Sequence, residues 1–406
     1  MKKRVVIAGG GTGGHLYPGI ALARALMRHD MNIEISFVGT QKGLEAKVLP
    51  REGFNLKTIV SAGLLGKNKI TRWVSWFKLP IGTAQSMCFL IRKRPGLVVG
   101  VGGYASGPLV LSAWILRIPI LIHEQNSISG MTNKWLGKIA DKIAVSFKES
   151  SESFPKEKVE VTGNMIREEF CQSKEKSLPR NEGPFRVLVL GGSQGSHSIN
   201  MAVVDALESL SKQKEDLHIT HQTGEADFER VREKYKENNF PSDIRPFIDD
   251  MGYQYRKASL VLCRAGATTL AEVTACGKMS ILVPFPHAAH NHQEKNARIL
   301  EAANAGELVM DEELSGPRIA KSIIQAMEEP GRLETMEKNS YHLGNRDATE
   351  KVRRLCMELL EETYRQSGRA KKYKETMFCH VFRKNTTDSF YWNRRIGNEW
   401  DRRSLN

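Results

Sequence analysis

The fold class of this chain follows from the stretch Val5-Val6-Ile7-Ala8-Gly9-Gly10-Gly11-Thr12-Gly13-Gly14-His15. Apolar, mostly β-branched residues lead into five glycines in six positions, and a helix-like run from Ile20 to Met27 follows. This order predicts a strand, a phosphate-binding loop and a helix. Glycine suits such a loop because a Cβ would block the close approach of backbone N–H groups to an anion. The sequence therefore predicts a ligand that carries phosphate.

Through the first part of the chain, runs of apolar, β-branched residues alternate with stretches whose apolar residues are spaced as in a helix. Strands that are buried on both faces between crossover helices have this character. The pattern predicts an α/β domain with a doubly wound parallel sheet, whose further strands lie at Ile33–Val38, Leu97–Val101, Ile118–Ile122 and Ile139–Val145.

The same pattern restarts after a polar segment. Gln172–Pro184 contains Pro179 and Gly183 and is typical of a linker. Arg186–Gly195 then repeats the order of strand and glycine loop. We therefore expect a second Rossmann-like α/β domain, with further strands at Leu217–Thr220, Ile244–Ile248, Leu260–Cys263 and Met279–Val283.

These patterns divide the chain into four parts. We expect an N-terminal domain over residues 1–163, a C-terminal domain over residues 164–345, and a helix over residues 346–365 that crosses back to the N-terminal domain. The basic tail over residues 366–406 has no sustained period, which is typical of a disordered or loosely docked segment. Ligands of open α/β sheets bind at the carboxyl ends of the strands, so the two domains should face each other across a cleft.

Composition limits the class of protein. The chain has 406 residues, more than one core usually serves, and 40% of them are hydrophobic. No run of 18 apolar residues and no secretory signal are present, so we expect no membrane span. The six cysteines show no Cys-x-x-Cys spacing, which predicts reduced thiols in a cytoplasmic protein and no structural zinc.

The net charge of +14 suggests an anionic partner. The tail from Gln366 to Asn406 holds ten Lys or Arg against four Asp or Glu, so +6 of this charge lies there. No nucleic-acid module signature is present, and we expect no nucleic-acid partner.

A dinucleotide-binding enzyme is the alternative, because Gly9, Gly11 and Gly14 satisfy Gly-x-Gly-x-x-Gly. Such a fold needs an acidic residue at the end of the second strand to hold the ribose. That strand ends in Phe37-Val38-Gly39-Thr40-Gln41, and Glu34 lies too early. The sequence argues against NAD.

Polar side chains follow the strands of the N-terminal domain. His15 lies in the first helical turn, where the helix amino terminus favours its neutral form, so it could act as a general base; a solvent-facing histidine is the alternative. Gly100–Pro108 forms a second loop. His123-Glu124-Gln125-Asn126 forms a third, and four polar residues at a strand end predict cleft-lining. Glu124 could be the base or orient one, and Asn126 could hold a sugar hydroxyl or amide.

The second half offers groups for a nucleoside diphosphate. Ser193 and the glycines around it would present a hydroxyl and backbone N–H groups, and Arg167 adds a permanent positive charge. Cys263–Glu272 places another turn at a strand end, and the Glu272 carboxylate can accept both hydroxyls of a ribose. An exposed helix glutamate is the alternative.

These motifs together resemble the MurG family of bacterial peptidoglycan glycosyltransferases, which add N-acetylglucosamine to lipid I. The resemblance runs from about Val5 to about Tyr364, and the motifs that carry it are Gly9–His15, Gly102–Pro108, His123–Asn126, Gly191–Gly195 and Gly266–Glu272. It implies a GT-B fold and inversion at the anomeric carbon. It also implies UDP-GlcNAc as donor, the MurNAc 4-hydroxyl of undecaprenyl-diphospho-MurNAc-pentapeptide as acceptor, and lipid II as product in peptidoglycan synthesis.

The resemblance also implies roles for single residues. The positions that match donor-binding or diphosphate-binding residues of the family are Thr12, Gly13, Gly14, Asn126, Arg167, Ser193, Ile248, Ala267, Thr268, Glu272 and Gln293. Tyr104 and His123 fall on the acceptor side. His15 is the preferred base and Glu124 the second candidate. No Asp-x-Asp sequence is present, so we expect neither a metal-anchored donor site nor any other cofactor.

Two positions depart from the family pattern. Met165 stands in Gly163-Asn164-Met165-Ile166-Arg167 where proline is usual, which predicts a looser turn before Arg167. Ser196 stands where alanine is usual, and the sequence predicts no consequence.

A lipid acceptor requires contact with a membrane. Within Lys67–Pro80, the apolar residues Ile70, Trp73, Val74 and Phe77 recur at helical spacing among basic residues. An amphipathic basic helix that carries tryptophan suits the surface of an anionic bilayer, so we expect a peripheral protein on the cytoplasmic face of the membrane. An ordinary core-facing helix is the alternative.

Other functions fit part of the pattern. Within enzymes, the rivals are another GT-B transferase that acts on a lipid acceptor and a nucleotide-sugar epimerase of similar fold. Outside enzymes, the rival is a nucleotide-sensing or NAD-binding module.

Overall fold

The computed structural model describes residues 2–41, 43–61, 69–171 and 183–365, with the backbone alone for residues 69–78. The chain divides into two compact units, Met1–Cys356 and Met357–Asn406. In the second unit, residues 357–365 are helical. The first unit contains two parallel sheets.

The first sheet has seven parallel strands in the order β3-β2-β1-β4-β5-β6-β7. Its central strand β1 pairs with β2 on one side and with β4 on the other, so that Val6 lies opposite both Ser36 and Val98. The interiors of β1 and β4 are fully buried, as expected of strands covered on both faces. The strands are β1 Lys3–Ala8, β2 Ile33–Gly39, β3 Leu56–Thr58, β4 Leu97–Gly100, β5 Ile120–Glu124, β6 Lys142–Val145 and β7 Val159–Val161.

Helices connect these strands and cover the sheet. Helix α1 buries its apolar residues, among them Leu22 and Leu26, and ends with Arg28 and His29, whose basic side chains suit the carboxyl end of a helix. The helices of this half are α1 Gly13–His29, α2 Glu45–Arg51, α3 Lys69–Lys93, α4 Ser106–Ile115, α5 Met131–Ile139, α6 Lys148–Ser151 and α7 Glu168–Cys171.

The second sheet has six parallel strands in the order β10-β9-β8-β11-β12-β13. Apolar clusters fill both of its faces, one around Val187 and Leu262 and the other around Leu188 and Val261. The strands are β8 Phe185–Leu190, β9 Leu217–Gln222, β10 Ser242–Arg245, β11 Leu260–Cys263, β12 Ser280–Leu282 and β13 Gly306–Leu308. The helices are α8 His197–Ser209, α9 Phe228–Glu237, α10 Met251–Lys257, α11 Ala267–Ala275, α12 His292–Ala302, α13 Gly316–Glu328 and α14 Pro330–Leu343.

The predicted α/β class with two doubly wound parallel sheets is confirmed. The predicted strand Ile139–Val145 starts too early, because Ile139 ends helix α5 and β6 begins at Lys142. The strand predicted over Ile244–Ile248 is wrong over its last three residues, because β10 ends at Arg245. Pro246 has no N–H to donate to a neighbouring strand, and Ile248 instead donates its N–H to the Gln222 side chain. The short strands β3, β7 and β13 were not predicted.

The predicted domain boundaries stay a prediction. Residues 348–365 are helical, and in the first unit Arg354 in this helix forms an ion pair of 3.2 Å with Glu160 of β7. The tail beyond Arg365 lies outside the described residues. None of the described helices is both long and apolar enough to cross a bilayer.

Both sheets reverse their strand order beside the first strand, between β1 and β4 and between β8 and β11. Such a reversal opens a crevice at the carboxyl ends of the strands, where ligands of these folds bind. The loops after β1 and β4 and the loops after β8 and β11 therefore define where a site should be.

Candidate active site

His15 lies where the loops after β1, β4 and β5 meet. The carbonyl of Thr12 accepts the N–H groups of His15 and Leu16, which starts helix α1. A Cβ built on Gly102 would lie 2.5 Å from His15 Nδ1, so the loop after β4 reaches the ring only because it has glycine there. Gly102 has φ +94°, which also favours glycine.

The hydrogen bonds of Gln125 determine the tautomer of His15. Gln125 Nε2 donates to the Val101 carbonyl at 2.7 Å, which turns the amide oxygen towards the histidine. Gln125 Oε1 lies 3.2 Å from His15 Nδ1. Because this oxygen can only accept, Nδ1 carries the proton and Nε2 keeps a free lone pair. Burial lowers the pKa of His15 below its ordinary value, although the nearby Glu124 opposes this effect. His15 is thus a neutral proton acceptor at pH 7.

His123 is fully buried behind Gln125, although the family pattern predicted that it lies on the acceptor side. Its Nδ1 accepts from Gln125 Nε2 at 3.1 Å, and its Nε2 donates to the Gly163 carbonyl at 3.3 Å. Burial lowers the pKa of His123 to about 4. A neutral, buried histidine holds Gln125 in place and has no surface to offer to a substrate.

Glu124 organises the loop that follows β5. Its side chain is buried, and its Oε1 accepts the N–H of Asn126 at 3.0 Å. Its Oε2 accepts the N–H of Gly130 at 2.9 Å and the amide of Asn133 at 2.9 Å. Both oxygens are occupied, so the geometry favours an orienting role for Glu124 and leaves His15 as the better candidate base.

Asn296 joins the two sheets, although the sequence reading missed it. Its Oδ1 accepts the N–H of Ser127 at 3.0 Å and the Ser127 hydroxyl at 2.8 Å. Its Nδ2 donates to Asn126 Oδ1 at 3.3 Å. The side chain is fully buried, and it lies three positions after Gln293 on helix α12. That spacing puts both side chains on one helix face and is the signal that could have identified Asn296.

Thr268 makes a second link between the sheets. Its hydroxyl donates to the carbonyl of Gly14 at 2.9 Å and accepts from Asn164 Nδ2 at 3.2 Å. The predicted donor-contacting residues Gly14 and Thr268 are therefore neighbours. Ala267 begins α11 beside Thr268. Ser193 lies close to the first loop as well, because a Cβ on Gly13 would be 3.6 Å from its hydroxyl.

The segment 222–224 packs against the glycine loop after β8. The packing is so close that a Cβ on Gly195, which has φ +78°, would overlap the Thr223 carbonyl. Gln222 Nε2 donates to the Gly192 carbonyl at 2.9 Å, and its Oε1 accepts the Ile248 N–H at 2.9 Å. Gln222, which was not predicted from the sequence, thus joins the predicted diphosphate loop to Ile248, the residue predicted to meet the uracil.

Arg167 lies between the halves of the unit. Its guanidinium stacks 4.8 Å from the centre of the Tyr17 ring on helix α1. It forms an ion pair of 3.1 Å with Glu169 and lies 4.0 Å from Glu272. Its buried Nε has no hydrogen-bond partner, which leaves a donor free. Met165 is fully buried, and its predicted effect on the turn before Arg167 stays a prediction.

Glu272 is buried on helix α11. Burial raises the pKa of Glu272 to about 7, although Arg167 lowers it in part. A carboxyl that changes charge near neutral pH, one helical turn after the loop of β11, is placed to receive a ligand hydroxyl.

Ser196 has a partner that the sequence did not predict. Its hydroxyl accepts from Arg264 Nε at 3.1 Å, whereas alanine at this position could not. The buried Arg264 also donates to the Pro284 carbonyl at 2.9 Å and pairs with Asp311 at 2.7 Å. Because Pro284 precedes the segment that leads to helix α12, this network fixes the approach to Gln293.

Gln293, Thr12 and Tyr104 lie in three different surroundings. Gln293 Oε1 accepts the N–H of Phe285 at 3.0 Å, and Thr12 is exposed at the rim of the first loop. Tyr104 is 59% exposed and its carbonyl accepts the Ser61 hydroxyl at 2.6 Å. The side chains of Ile70, Trp73 and Phe77 lie outside the described residues.

Within the described part of the chain, no group of three His, Cys, Asp or Glu side chains could hold a metal ion. Independence of metals and cofactors stays a prediction.

Comparison with known proteins now gives the family. The model of the glycosyltransferase family 28 N-terminal domain matches residues 5–145, and that of the family's C-terminal domain matches residues 186–352. The chain belongs to glycosyltransferase family 28. The first match runs from β1 to the end of β6, and the second contains the second sheet from Arg186 onwards. Together they include His15, Glu124, Ser193 and Glu272.

Curated relatives match nearly the whole chain. A Myxococcus xanthus protein is 45% identical over 367 residues, which cover 90% of this chain and 95% of the relative. A Geobacter sulfurreducens protein is 46% identical over 351 residues, which cover 86% and 96%. Both are named UDP-N-acetylglucosamine–N-acetylmuramyl-(pentapeptide) pyrophosphoryl-undecaprenol N-acetylglucosamine transferase.

Solved structures agree with the family. The crystal structure of Acinetobacter baumannii MurG is similar with a TM-score of 0.68 and 28% identity, covering 88% of this chain and 99% of that chain. A UDP-GlcNAc 2-epimerase from Neisseria meningitidis has a TM-score of 0.61 and 15% identity, covering 89% and 100%. The likeness to the epimerase shows the fold alone.

We predict that Asn296→Ala destabilises the protein by about 1–3 kcal/mol, because the buried N–H of Ser127 loses its acceptor. Chemical denaturation measures this change, and amide hydrogen exchange should become faster at Ser127. Asn238→Ala, which removes an exposed amide that donates to the Lys234 carbonyl, is the matched control and should change stability by less than about 1 kcal/mol. Equal effects of the two variants would show that Asn296 does not join the sheets.

Proposed function

We propose that this chain transfers N-acetylglucosamine from UDP-GlcNAc to the 4-hydroxyl of MurNAc in undecaprenyl-diphospho-MurNAc-pentapeptide, with inversion at the anomeric carbon. The product is lipid II, the disaccharide precursor of peptidoglycan. The observation that carries the proposal is the 45–46% identity, over at least 86% of the chain, to relatives named for this transfer.

The N-terminal half supplies the base. The neutral His15 has a protonated Nδ1 held by Gln125 and a free lone pair on Nε2, which can accept the proton of the attacking hydroxyl. Glu124 stabilises the charge that then develops on the imidazole, because its effect on His15 favours the protonated form. A positioned base of this kind typically contributes 10²–10⁴-fold to a rate.

The C-terminal half supplies the donor site. Backbone N–H groups of the loop after β8, the Ser193 hydroxyl and the Arg167 guanidinium are suited to the diphosphate leaving group. The Glu272 carboxylate is suited to the ribose hydroxyls, and Gln293 to a sugar hydroxyl. Ile248 would meet the uracil through its backbone, and its N–H is already held by Gln222. Charge stabilisation by these groups requires no metal.

The acceptor is a lipid, and we propose that the protein works as a peripheral protein at the cytoplasmic face of the cell membrane. Helices α4 and α5 of the N-terminal half expose large apolar side chains, which suits contact with a lipid surface. These are Trp114, Ile115, Met131 and Trp135, which are 52%, 49%, 46% and 66% exposed. The Trp135 ring also stacks against Lys138, a pairing that suits the headgroup region of an anionic bilayer.

A transfer assay tests the proposed reaction. Labelled GlcNAc from UDP-GlcNAc should appear on a soluble lipid I analogue in a β linkage, and UDP-glucose should be a much poorer donor. The linkage is read by NMR of the purified product. Conversion of UDP-GlcNAc to its 2-epimer without transfer would instead support the rival epimerase.

His15→Ala should lower kcat roughly 10²–10⁴-fold, because the variant lacks the Nε2 lone pair that accepts the proton. His15→Asn, which keeps a donor for Gln125 but cannot accept a proton, should be equally impaired. In the wild type the rate should fall with acid through a midpoint below 6.5, since burial lowers the pKa of His15. The exposed His29→Ala at the end of the same helix is the control. A kcat that His15→Ala leaves unchanged excludes His15 as the base.

The affinity for the donor should depend on pH through Glu272. Its pKa is raised to about 7, so the carboxylate that accepts ribose hydroxyls is replaced by the neutral acid as the pH falls through that value. The KM for UDP-GlcNAc should therefore rise between pH 8 and pH 6. Glu272→Gln should show a high KM without this dependence, and the exposed Glu229→Gln should behave as wild type. A wild-type KM that is constant over this range contradicts the assignment.

A further inference from the structure

Glu45 is a fully buried carboxylate that contacts the first glycine loop. Its Oε2 accepts the N–H of Gly11 at 2.7 Å. Its Oε1 accepts the N–H of Thr40 at 2.7 Å and the Thr40 hydroxyl at 2.8 Å. The carboxylate thus joins the loop after β1 to the end of β2, and the three donors that the described residues provide are neutral.

Three glycines surround this carboxylate. A Cβ built on Gly10 or on Gly43 would overlap its carboxyl atoms, and a Cβ built on Gly39 would lie 2.6 Å from its Cγ. The backbone at these three glycines therefore lies directly against the Glu45 side chain. Within the first glycine loop, glycine at position 10 is therefore explained by close packing against Glu45.

Dinucleotide-binding folds use the corresponding loop differently. In those folds the backbone N–H groups after the first strand bind the phosphate of the ligand, and glycine lets that phosphate approach. Here a carboxylate of the chain itself accepts the N–H of Gly11. We propose that Glu45 is an internal anion that takes the place of a substrate phosphate in the first glycine loop, and that it thereby positions His15.

Open space does not distinguish the two glycine loops. No atom lies within 4 Å of a Cβ built on Gly11 or on Gly192. The first loop is special because the N–H of Gly11 is already accepted by the Glu45 side chain. Gly11 lies directly before Thr12, whose carbonyl accepts the N–H of His15 at 3.3 Å. By fixing Gly11, Glu45 fixes the start of helix α1 and the position of the base.

A binding experiment tests the internal anion without any need for turnover. Glu45→Ala should leave the Gly11 N–H and a carboxylate-sized pocket free. With UDP present at saturation to fill the donor site, inorganic phosphate should raise the Tm of Glu45→Ala saturably and leave that of the wild type unchanged. Acetate should act in the same way.

Asp141→Ala is the matched control for the binding experiment. Asp141 also accepts a backbone N–H, that of Ile120 at 2.7 Å, but it lies at the opposite end of the first sheet. Its variant should show no saturable response to phosphate. A folded Glu45→Ala protein whose Tm does not respond to phosphate or acetate overturns the proposal.

Kinetics test the positioning of His15, and this arm rests on the proposed function. Glu45→Ala should lower kcat about 10–100-fold with little change in the KM for UDP-GlcNAc, because misplacement of a reacting group costs rate while the donor site is intact. Acetate should restore part of kcat. Wild-type kcat in Glu45→Ala overturns the positioning role. If the wild type itself transfers no sugar, the proposed function fails while the phosphate experiment still decides the role of Glu45.

Glu45→Gln serves if the alanine variant does not fold. The amide keeps the shape of the side chain but has one acceptor oxygen, whereas Gly11 and Thr40 require two. It should fold, as judged by circular dichroism, and lose kcat about 10-fold or more with an unchanged KM for the donor. A folded Glu45→Gln protein with wild-type kcat contradicts the proposal.

Discussion

The arrangement of the site depends on how closely two backbone loops approach each other at the carboxyl edge of the first sheet. A Cβ on Gly103 would overlap the carbonyl of Gly10, and a Cβ on Gly102 would lie 2.5 Å from the ring of His15. The strands β1 and β4 are direct neighbours, so their following loops must share one crevice. Only glycine lets them do so with the histidine between them. The ring then meets Gln125, which determines its tautomer.

Burial, rather than ion pairing, then determines the charges in the site. His15 and His123 are kept neutral because their surroundings are desolvated and their partners are amides and carbonyls. The pKa of Glu272 is raised to about 7, so its carboxyl changes charge near neutral pH. Arg167 supplies the fixed positive charge. A proton acceptor on one sheet and a cation on the other are the complementary groups that a transfer of a sugar from a diphosphate requires, and Asn296 holds the two sheets in contact.

The sequence predicted the features that are local along the chain. The two strand-loop-helix starts, the parallel sheets and the polar strand end at His123–Asn126 all follow from residue order and spacing. What it could not predict depends on contacts between distant residues. Ser196 bonds to Arg264, 68 positions away, and Ser127 to Asn296, 169 positions away. The strand predicted over Ile244–Ile248 was wrong because apolar spacing does not register the missing N–H of Pro246. His123 was predicted to line the cleft, but it is fully buried. Its burial depends on neighbouring strands, which the local sequence does not reveal.

The two glycine loops illustrate the same limit in the chemistry. Both read as phosphate loops, because glycine reports only that something approaches the backbone closely. The identity of that group depends on the rest of the fold. After β1 it is the carboxylate of Glu45, which is 34 positions from Gly11 and starts the next helix of the fold. Among the described residues, no carboxylate accepts an N–H group of the loop after β8. Arg167, whose Nε has no hydrogen-bond partner, lies between the two halves. A glycine-rich loop therefore indicates only that another group approaches the backbone closely, and the packing around the loop shows whether that group belongs to a ligand or to the protein.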